Sequence, residues 1–194
     1  MSKKNALANP LRLPPLDDNG RVQVVIETPK GSRSKYAFDP DQRTFKLKKV
    51  LPEGMVFPHD LGFIPSTKAE DGDPLDVLIL MDEPAFPGCL VDARLVAVIE
   101  GEESEAGKTR RNDRLIAVCN ASHTHSNIKS VSDLNESLLR KVEKFFVNYH
   151  ANDGKAFKVL ACKGNKAAAA RLKRTIEAHE AQSSLSCKCD RNSK

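Results

Sequence analysis

The sequence is poor in the features that nucleic-acid and membrane proteins use. Of its 194 residues none is tryptophan and two are tyrosine, and no glycine-aromatic motif accompanies the basic residues. Because aromatic side chains are the usual stacking platforms for unpaired bases, we expect no dedicated nucleic-acid binding despite a net charge of +5. No run of about 18 apolar residues is present, and the first part of the chain lacks an apolar leader, so we also expect no membrane association.

Cysteines are few, and they form no convincing metal-binding pattern. Cys89, Cys119 and Cys162 lie in or beside apolar segments, where a free thiol behaves as a small buried hydrophobic group. Cys187 and Cys189 form a C-x-C pair in a polar, serine-rich segment with no second ligand pair nearby, which disfavours a zinc site. Free thiols are typical of reducing compartments, and we predict a cytoplasmic protein.

Short apolar and β-branched runs alternate with turn signals over most of the chain. They predict strands at Val22–Glu27, Lys35–Phe38, Thr44–Val50, Leu75–Leu80, Leu90–Glu100, Leu115–Cys119 and Ala156–Ala161. One helix is predicted to begin at a capping box of Asp133 and Glu136 and to end near Tyr149, and a second to span Lys166–Ala181. This order predicts an α+β fold, and its compact form is a small closed OB-like β-barrel with two peripheral C-terminal helices.

The length predicts one domain with irregular ends. We expect the domain to span residues 20–182, between a flexible N-terminal extension at residues 1–19 and a disordered C-terminal tail at residues 183–194. The polar segment Glu100–Asn112 is predicted to be a hairpin loop between two strands.

Three carboxylates, Asp71, Asp73 and Asp76, are crowded into the stretch EDGDPLDVLIL. Like charges this close oppose one another by roughly 3–4 kcal/mol per near pair at an effective dielectric of about 20, so a cation is expected between them. Hard divalent cations take oxygen ligands, and the stretch therefore predicts a metal site. The alternative is an ordinary Asp-Gly and Asp-Pro turn before a strand. An EF-hand is excluded because Leu75 and Asp76 occupy the fifth and sixth positions of such a loop.

The residues between the aspartates predict a bend. In a regular strand Asp71 and Asp73 would share one face and Asp76 would point away. Gly72 permits positive φ, and Pro74 fixes its own φ while favouring an extended Asp73. We therefore expect a turn that brings all three carboxylates to one side.

The stretch from Asp71 to Asp76 resembles the D-G-D-P-x-D signature of the soluble family I inorganic pyrophosphatases. The segments VVIETP, KYAFD, MVFPHDLGFIP, DRLIAV and FFVNY also follow the family order, so the likeness covers residues 20–180 or thereabouts. It implies hydrolysis of pyrophosphate to two phosphates by a water activated by Mg²⁺, with Mn²⁺ as the alternative metal. It also implies a homo-oligomer, with a hexamer favoured and a dimer as the alternative.

The resemblance further implies a role for each matching residue. The implied metal ligands are Asp71, Asp76, Glu27 and Asp113. Asp73 would accept a proton from the attacking water. The implied phosphate ligands are Lys35, Lys49, Arg114, Tyr149 and His150, of which Lys35, Arg114 and Tyr149 would also act in catalysis.

Several positions depart from the family pattern. Ala37 stands where the family has a metal-linked glutamate, and Asn112 stands at a usual aspartate. Phe57 and Leu61 occupy positions of family tyrosines, and Lys49 keeps the charge of an arginine without its bidentate fork.

These departures leave alternatives open. The candidate replacements for missing carboxylates are Glu102, Glu103, Glu105 and Asp113. A second hypothesis is a weakly active relative that binds metal and a phosphate compound as a sensor or partner protein. A third is a basic β-barrel that binds nucleic acid.

Overall fold

The computed structural model describes residues 9–189, and the side chains of residues 9–184. The strands and helices of this part follow the order β1 (Val22–Thr28), β2 (Ser34–Asp39), β3 (Thr44–Val50), β4 (Asp60–Ile64), β5 (Leu75–Leu80), β6 (Leu90–Glu105), β7 (Lys108–Arg111), β8 (Arg114–Cys119), α1 (Glu136–Ala151), β9 (Ala156–Gly164) and α2 (Asn165–Cys189). Short 3₁₀ turns occur at Pro10–Arg12 and Val131–Asp133.

Seven of these strands form one mixed sheet. Its order is β1-β4-β5-β8-β6-β7, with β9 also paired to β6, and β6 pairs with β1 as well, so the pairings lead back to the first strand. The pairing of β5 with β8 is parallel, whereas its neighbours are antiparallel. The strands β2 and β3 form a separate hairpin. The mixed sheet with two C-terminal helices confirms the predicted α+β class, and the closed barrel stays a prediction.

Strand β5 is buried on both faces because its residues alternate between two hydrophobic cores. Val77 and Ile79 belong to the core that includes the α2 residue Leu172. Leu78 and Leu80 belong to the core that lies under α1. The aspartates therefore precede a strand that is held rigidly by packing on two sides.

Strand β4, which the sequence pattern did not predict, has a glycine at its centre. Gly62 pairs with Ile26 on one side and Val77 on the other. A Cβ atom at this position would lie 2.2 Å from the Val25 carbonyl oxygen, so no larger residue fits between the strands. Glycine weakens the strand signal in a sequence, which is why the pattern hides this element.

The segment Glu100–Asn112 is a regular hairpin rather than the predicted loop. Strand β6 runs on to Glu105, and β7 returns along it. The connecting residues Ala106 and Gly107 have φ angles of 48° and 78°, as a tight hairpin turn requires. Because both strands reach the tip, the charged side chains of the segment have fixed directions.

The N-cap of helix α1 lies two residues after the predicted one, Asp133. This N-cap is Asn135, whose side chain accepts the Ser137 N–H. Asp133 instead closes the preceding 3₁₀ turn by accepting the Ser130 N–H at 2.9 Å. The helix ends at Ala151, close to the prediction, and the chain leaves through a turn in which Gly154 has a φ of 72°.

The two ends of the described chain differ from the prediction. Helix α2 extends past the predicted end at Ala181 to Cys189, through residues that were expected to be a disordered tail. Residues 9–19 are not free either, because Leu11 and Leu13 pack against the core and the Pro15 carbonyl accepts the Gln23 N–H. Residues 1–8 and 190–194 lie outside the described part. Within that part, even the long α2 is too polar to cross a membrane, and no other helix qualifies.

Candidate active site

The three aspartates line one cavity of about 350 Å³. The turn before β5 explains their convergence, since Gly72 has a φ of 97° and the Asp73 N–H donates to the Asp71 carboxylate at 3.1 Å. The Ala69 N–H also donates to the Asp73 carbonyl at 2.8 Å. The bend predicted from glycine and proline is therefore confirmed, and it places Asp76 on the same side as the other two carboxylates.

The remaining walls of the cavity come from the β6–β7 hairpin, the start of β8 and the end of α1. These walls carry both charges, and their side chains belong to Glu103, Glu105, Arg110, Arg111, Asn112, Arg114, Tyr149, His150, Asp153 and Lys155. Carboxylates therefore face guanidinium and ammonium groups across a space large enough for a small anion with metal ions.

Two of the three aspartates have no cationic partner among the described residues. Arg114 Nη1 lies 2.7 Å from Asp76 Oδ2, and the described ion pairs include none to Asp71 or Asp73. Burial raises the pKa of Asp71, and the negative charges of Asp76 and Asp73 raise it further. The pocket thus carries a surplus of negative charge that a cation would relieve.

A hard divalent cation fits this donor set. Within residues 9–184 no three histidine, cysteine, aspartate or glutamate side chains enclose a metal position by themselves. Mg²⁺ does not need such a cage, because it keeps several waters and uses one or two carboxylates together with substrate phosphate. The carboxylate oxygens of Asp71 and Asp76 are suited to Mg²⁺ or Mn²⁺.

Arg114 is buried at the floor of the cavity. In addition to Asp76, its Nη1 contacts the Asn112 side-chain oxygen and the Asp113 carbonyl. The Nε atom is buried and has no partner. Its guanidinium also lies 5.6 Å from the Phe146 ring centre, so the group is held in a fixed direction.

Lys49 lies behind Tyr149, one of the residues that line the cavity. The Lys49 ammonium lies 3.8 Å from the centre of the Tyr149 ring and forms an ion pair with Asp153. The tyrosine ring packs against Phe57 and Phe145 at centroid distances of 5.7 Å. Phe57, which is 1% exposed, therefore acts as packing for Tyr149.

Glu103 is the best-placed of the four candidate replacement carboxylates. It accepts hydrogen bonds from Asn112 Nδ2 and Lys155 Nζ, each at 2.9 Å, and its Oε2 lies 3.1 Å from His150 Nδ1. Although burial opposes the effect, Lys155 and His150 hold the pKa of Glu103 below its ordinary value. Glu105 also lines the cavity, whereas Glu102 is not among its lining residues.

His150 differs from the phosphate ligand that the resemblance implies. Burial lowers its pKa to about 4, and the nearby Arg114 charge lowers it too. Its ring stacks on Phe157 at 4.9 Å, and its Nε2 is buried without a partner. A neutral, enclosed imidazole adds no charge for phosphate near neutral pH, and its contact with Glu103 gives it a supporting position instead.

The structure places two other predicted site residues together, away from the cavity lining. Lys35 Nζ lies 3.0 Å from Glu27 Oε2, and Glu27 Oε1 accepts the Phe38 N–H at 2.9 Å. Neither Glu27 nor Lys35 is among the residues that line the cavity. Ala37, also on β2, lies opposite Lys46 in the hairpin with β3.

The side chain of Asp113 points away from the aspartates. It is 3% exposed and is bound by Arg111 at 3.0 Å and by Arg171 at 2.5 Å. Its neighbours Asn112 and Arg114 line the cavity, because successive residues of an extended chain point to opposite sides. Both arginines neutralise this carboxylate, and a metal-binding role for Asp113 stays a prediction.

Sequence reasoning assigned no role to several side chains of the site. Asp153 and Lys155 follow the exit turn of α1 and belong to no motif. Arg110 and Arg111 were visible as part of a basic group, but their direction depends on the β6–β7 pairing. The run of charges on both sides of Gly107 is the one signal in the sequence that could have drawn attention to the hairpin.

Comparison with known proteins gives consistent matches. A sequence profile described as inorganic pyrophosphatase matches residues 24–180. The inorganic pyrophosphatase of Synechocystis is 37% identical over 152 residues, which cover 78% of this chain and 88% of that protein. The Thermus thermophilus enzyme of that name is 39% identical over 150 residues, or 76% of this chain and 83% of that protein. A crystal structure of the inorganic pyrophosphatase from Thermus thermophilus superposes with a TM-score of 0.82 at 37% identity, covering 89% of this chain and 99% of that chain.

Proposed function

We propose that the cavity around Asp71, Asp73 and Asp76 is the active site of this chain, which belongs to the inorganic pyrophosphatase family and hydrolyses pyrophosphate. The observation that carries this proposal is the placement of two unpaired carboxylates opposite basic groups within one cavity of about 350 Å³. Such an arrangement suits a polyanion accompanied by metal ions. The metal ions neutralise the carboxylates, and the metal ions and basic side chains together neutralise the phosphates.

The proposed metal is Mg²⁺, with Mn²⁺ as the alternative, and its ligands in this chain are Asp71 and Asp76. A bound dication acidifies water and neutralises charge on phosphate oxygens. Asp73 is the proposed base, because it shares the turn with Asp71 and has no ion pair among the described residues that would occupy its carboxylate. The packed strand β5 keeps Asp76 in place during the reaction.

Basic and polar side chains on the opposite walls bind the phosphate groups in this proposal. Arg114 is proposed to share its guanidinium between Asp76 and a phosphate oxygen. Lys49 supplies a point charge, and the Tyr149 hydroxyl supplies a donor as negative charge builds on the leaving phosphate. Lys35, whose ammonium is paired with Glu27 as that of Lys49 is paired with Asp153, remains a proposed phosphate ligand.

The test is phosphate release from pyrophosphate by the native protein and by Asp73→Asn, with Mg²⁺ present or chelated. We expect metal-dependent release by the native protein and a loss of roughly 10²- to 10⁴-fold in kcat for the variant, as for removal of a general base. Asp41→Asn is the matched control, because Asp41 is exposed in the turn between β2 and β3. Native activity in Asp73→Asn would contradict the site.

A second candidate is a weakly active relative that binds metal and a phosphate compound as a sensor or partner. It is favoured by one observation: Glu103, the candidate replacement for a missing acid, is already paired with Lys155 and bonded to Asn112. The same assay separates the two functions. If the native protein releases phosphate no faster with Mg²⁺ than with chelator, and no faster than Asp73→Asn, the result would favour binding over catalysis.

We further propose a homo-oligomer, with a hexamer favoured over a dimer. An apolar groove of about 930 Å³ between β1, β6 and α2, lined in part by Val22, Leu95 and Ile176, supports such an assembly. Sedimentation velocity would give the subunit number, and a monomer at micromolar concentration would contradict it.

The pairings that lead from β1 back to β1 support the small closed β-barrel.

The proposed location is the cytoplasm. The free thiols of Cys89, Cys119 and Cys162 fit a reducing compartment. Pyrophosphate is the proposed partner, and neither nucleic acid nor membrane belongs to the proposal. Oligonucleotide binding that pyrophosphate does not compete away would contradict this assignment.

A further inference from the structure

One side chain of helix α2 contacts two acidic segments at the back of the cavity: the turn before β5 and the segment that leads into β8. Arg171 Nη2 lies 2.5 Å from Asp113 Oδ2, and Arg171 Nη1 lies 3.2 Å from Glu70 Oε1. Glu70 directly precedes Asp71 in the aspartate turn. One guanidinium therefore links the turn before β5 to the segment that leads into β8.

The link to Asp113 has a direct consequence for the front of the cavity. Asp113 lies between two cavity residues, Asn112 and Arg114, and points the opposite way. Its other oxygen accepts the Gly101 N–H at 3.1 Å. Because this carboxylate is buried and held on several sides, the directions of both neighbouring side chains depend on how it is held.

A backbone contact reinforces the attachment of the aspartate turn to α2. The Lys68 N–H donates to the Thr175 carbonyl at 2.9 Å, and the turn itself closes through the Ala69 N–H and the Asp73 carbonyl. On the helix, the neighbouring Leu172 is buried in the core. Arg171 thus projects from a helix that packing keeps in a constant position.

The two linked segments meet again at the front through Arg114 and Asp76, which lie 2.7 Å apart. The contacts therefore form a closed circuit from Arg171 to the aspartate turn, across to Arg114, and back through Asp113.

From this circuit we propose that Arg171 is a positioning residue for pyrophosphate hydrolysis, which sets the affinity of the aspartate turn for Mg²⁺ without touching the substrate. The inference rests on the proposed active site. A planar guanidinium bridges two carboxylates with separate nitrogens, whereas a lysine ammonium offers a single point charge. Arg171→Lys is therefore expected to restore the function only in part.

The experiment measures, for Arg171→Gln and Arg171→Lys, the Kd of Mg²⁺ without substrate by isothermal titration calorimetry, together with the Mg²⁺ concentration for half-maximal pyrophosphate hydrolysis. We expect a rise of roughly 10-fold for the glutamine variant, the usual lower bound for losing a residue that orients metal ligands, and a smaller rise for the lysine variant. Lys173→Gln removes the same charge two residues further along the helix, from a side chain that is 79% exposed, and is expected to leave the Mg²⁺ requirement unchanged.

A second control separates positioning from general destabilisation. Leu172→Ala removes core packing from the same helix and destabilises the fold, but it leaves the polar contacts of Arg171 in place. We expect its Mg²⁺ requirement to change less than that of Arg171→Gln at a temperature where it is folded. A shift as large as that of Arg171→Gln would overturn the proposal.

A single variant, Asp113→Asn, and a double variant that combines it with Arg171→Gln test whether Arg171 acts through Asp113. If Arg171 acts through Asp113, its replacement changes the Mg²⁺ requirement less in the Asp113→Asn background than in the native one. If Arg171→Gln does not fold, Asp113→Asn tests the same proposal, because it should also raise the Mg²⁺ requirement. Native Mg²⁺ dependence in both single variants, with Asp73→Asn inactive, would overturn this inference and leave the proposed function intact.

Discussion

Arg114 and Asp76 lie side by side because β5 and β8 are parallel neighbours. Val77 is paired with Leu115, so the preceding residues of the two strands, Asp76 and Arg114, are neighbours. Arg114 Nη1 lies 2.7 Å from Asp76 Oδ2. In an antiparallel pair the starts of the two strands would lie at opposite ends. The one parallel pairing in the described part of the mixed sheet is therefore what brings the proposed metal ligand Asp76 beside the proposed phosphate ligand Arg114.

This pair predicts that Arg114→Gln binds pyrophosphate more weakly. The variant loses a charged hydrogen-bond donor to substrate, worth about 1.5–3 kcal/mol, so we expect KM to rise roughly 10- to 100-fold. The KM of Arg114→Lys should rise less, because lysine keeps the positive charge. Steady-state kinetics at saturating Mg²⁺ measure both variants, and an unchanged KM in Arg114→Gln would exclude a role in substrate binding.

The crowding of the aspartates predicts that Asp71→Asn stabilises the protein when metal is chelated. Burial and neighbouring charge already raise the pKa of Asp71, so a neutral amide of the same shape removes an unfavourable interaction, which solvent screening at this exposed position keeps below about 1 kcal/mol. With Mg²⁺ added, the native protein should gain more stability than the variant. Thermal unfolding in chelator and in Mg²⁺ gives both comparisons, with Asp41→Asn as control.

If Asp71→Asn lowered the unfolding temperature in chelator, the repulsion between these carboxylates would be weaker than the contacts that the Asp71 side chain makes. If Mg²⁺ stabilised the variant as much as the native protein, Asp71 would not be a metal ligand.

The buried His150 and the half-buried His59 predict a loss of stability in mild acid. Burial lowers the pKa of His59 and of His150 to about 4 in each case, from an ordinary value of 6.5. Between these values the unfolded chain binds more protons than the folded one, so the free energy of unfolding falls as the pH drops from about 6.5 to about 4. Above pH 6.5 this contribution is fully present.

Urea unfolding across this pH range tests the prediction. His59→Gln and His150→Gln should each flatten the decline, whereas His123→Gln, at an exposed position, should follow the native curve. A decline that is equally steep in all three variants would place its origin in other groups, such as the carboxylates.

The close approach of β1 and β4 predicts that Gly62→Ala is strongly destabilising. Its Cβ would lie 2.2 Å from a backbone oxygen, so the strands must separate, at a cost of at least about 3 kcal/mol. Gly164→Ala is the matched control, since its Cβ would meet only the Val131 side chain at 3.5 Å. Denaturant unfolding of both variants measures the difference, and similar midpoints would contradict the clash.

Local features of the site were predictable from the sequence, and those that depend on strand pairing were not. The turn through Gly72 and the bounds of β3 and β5 follow from residues that are adjacent in the chain. The direction of Asp113 depends on its register against other strands, and a shift of one residue reverses it. The sequence could therefore name Asp113 as an acid near the site without showing which side it faces.

Contacts between distant segments left no signal in the sequence. Arg171 meets Glu70 at a separation of 101 residues, and Asn112, Glu103 and Lys155 meet through the hairpin and the end of α1. The length of α2 beyond Ala181 was also hidden, because serines there weaken the helix pattern without ending it.

The position of Arg171 bears on how the chain tolerates truncation. Every side chain that lines the cavity lies before Ala156, so a fragment cut at Gly164 would keep the complete aspartate motif and its basic counterparts. It would nevertheless lose the brace that α2 provides from behind. Proteolytic removal of this last helix should therefore silence the enzyme while leaving every residue of its catalytic signature in the polypeptide.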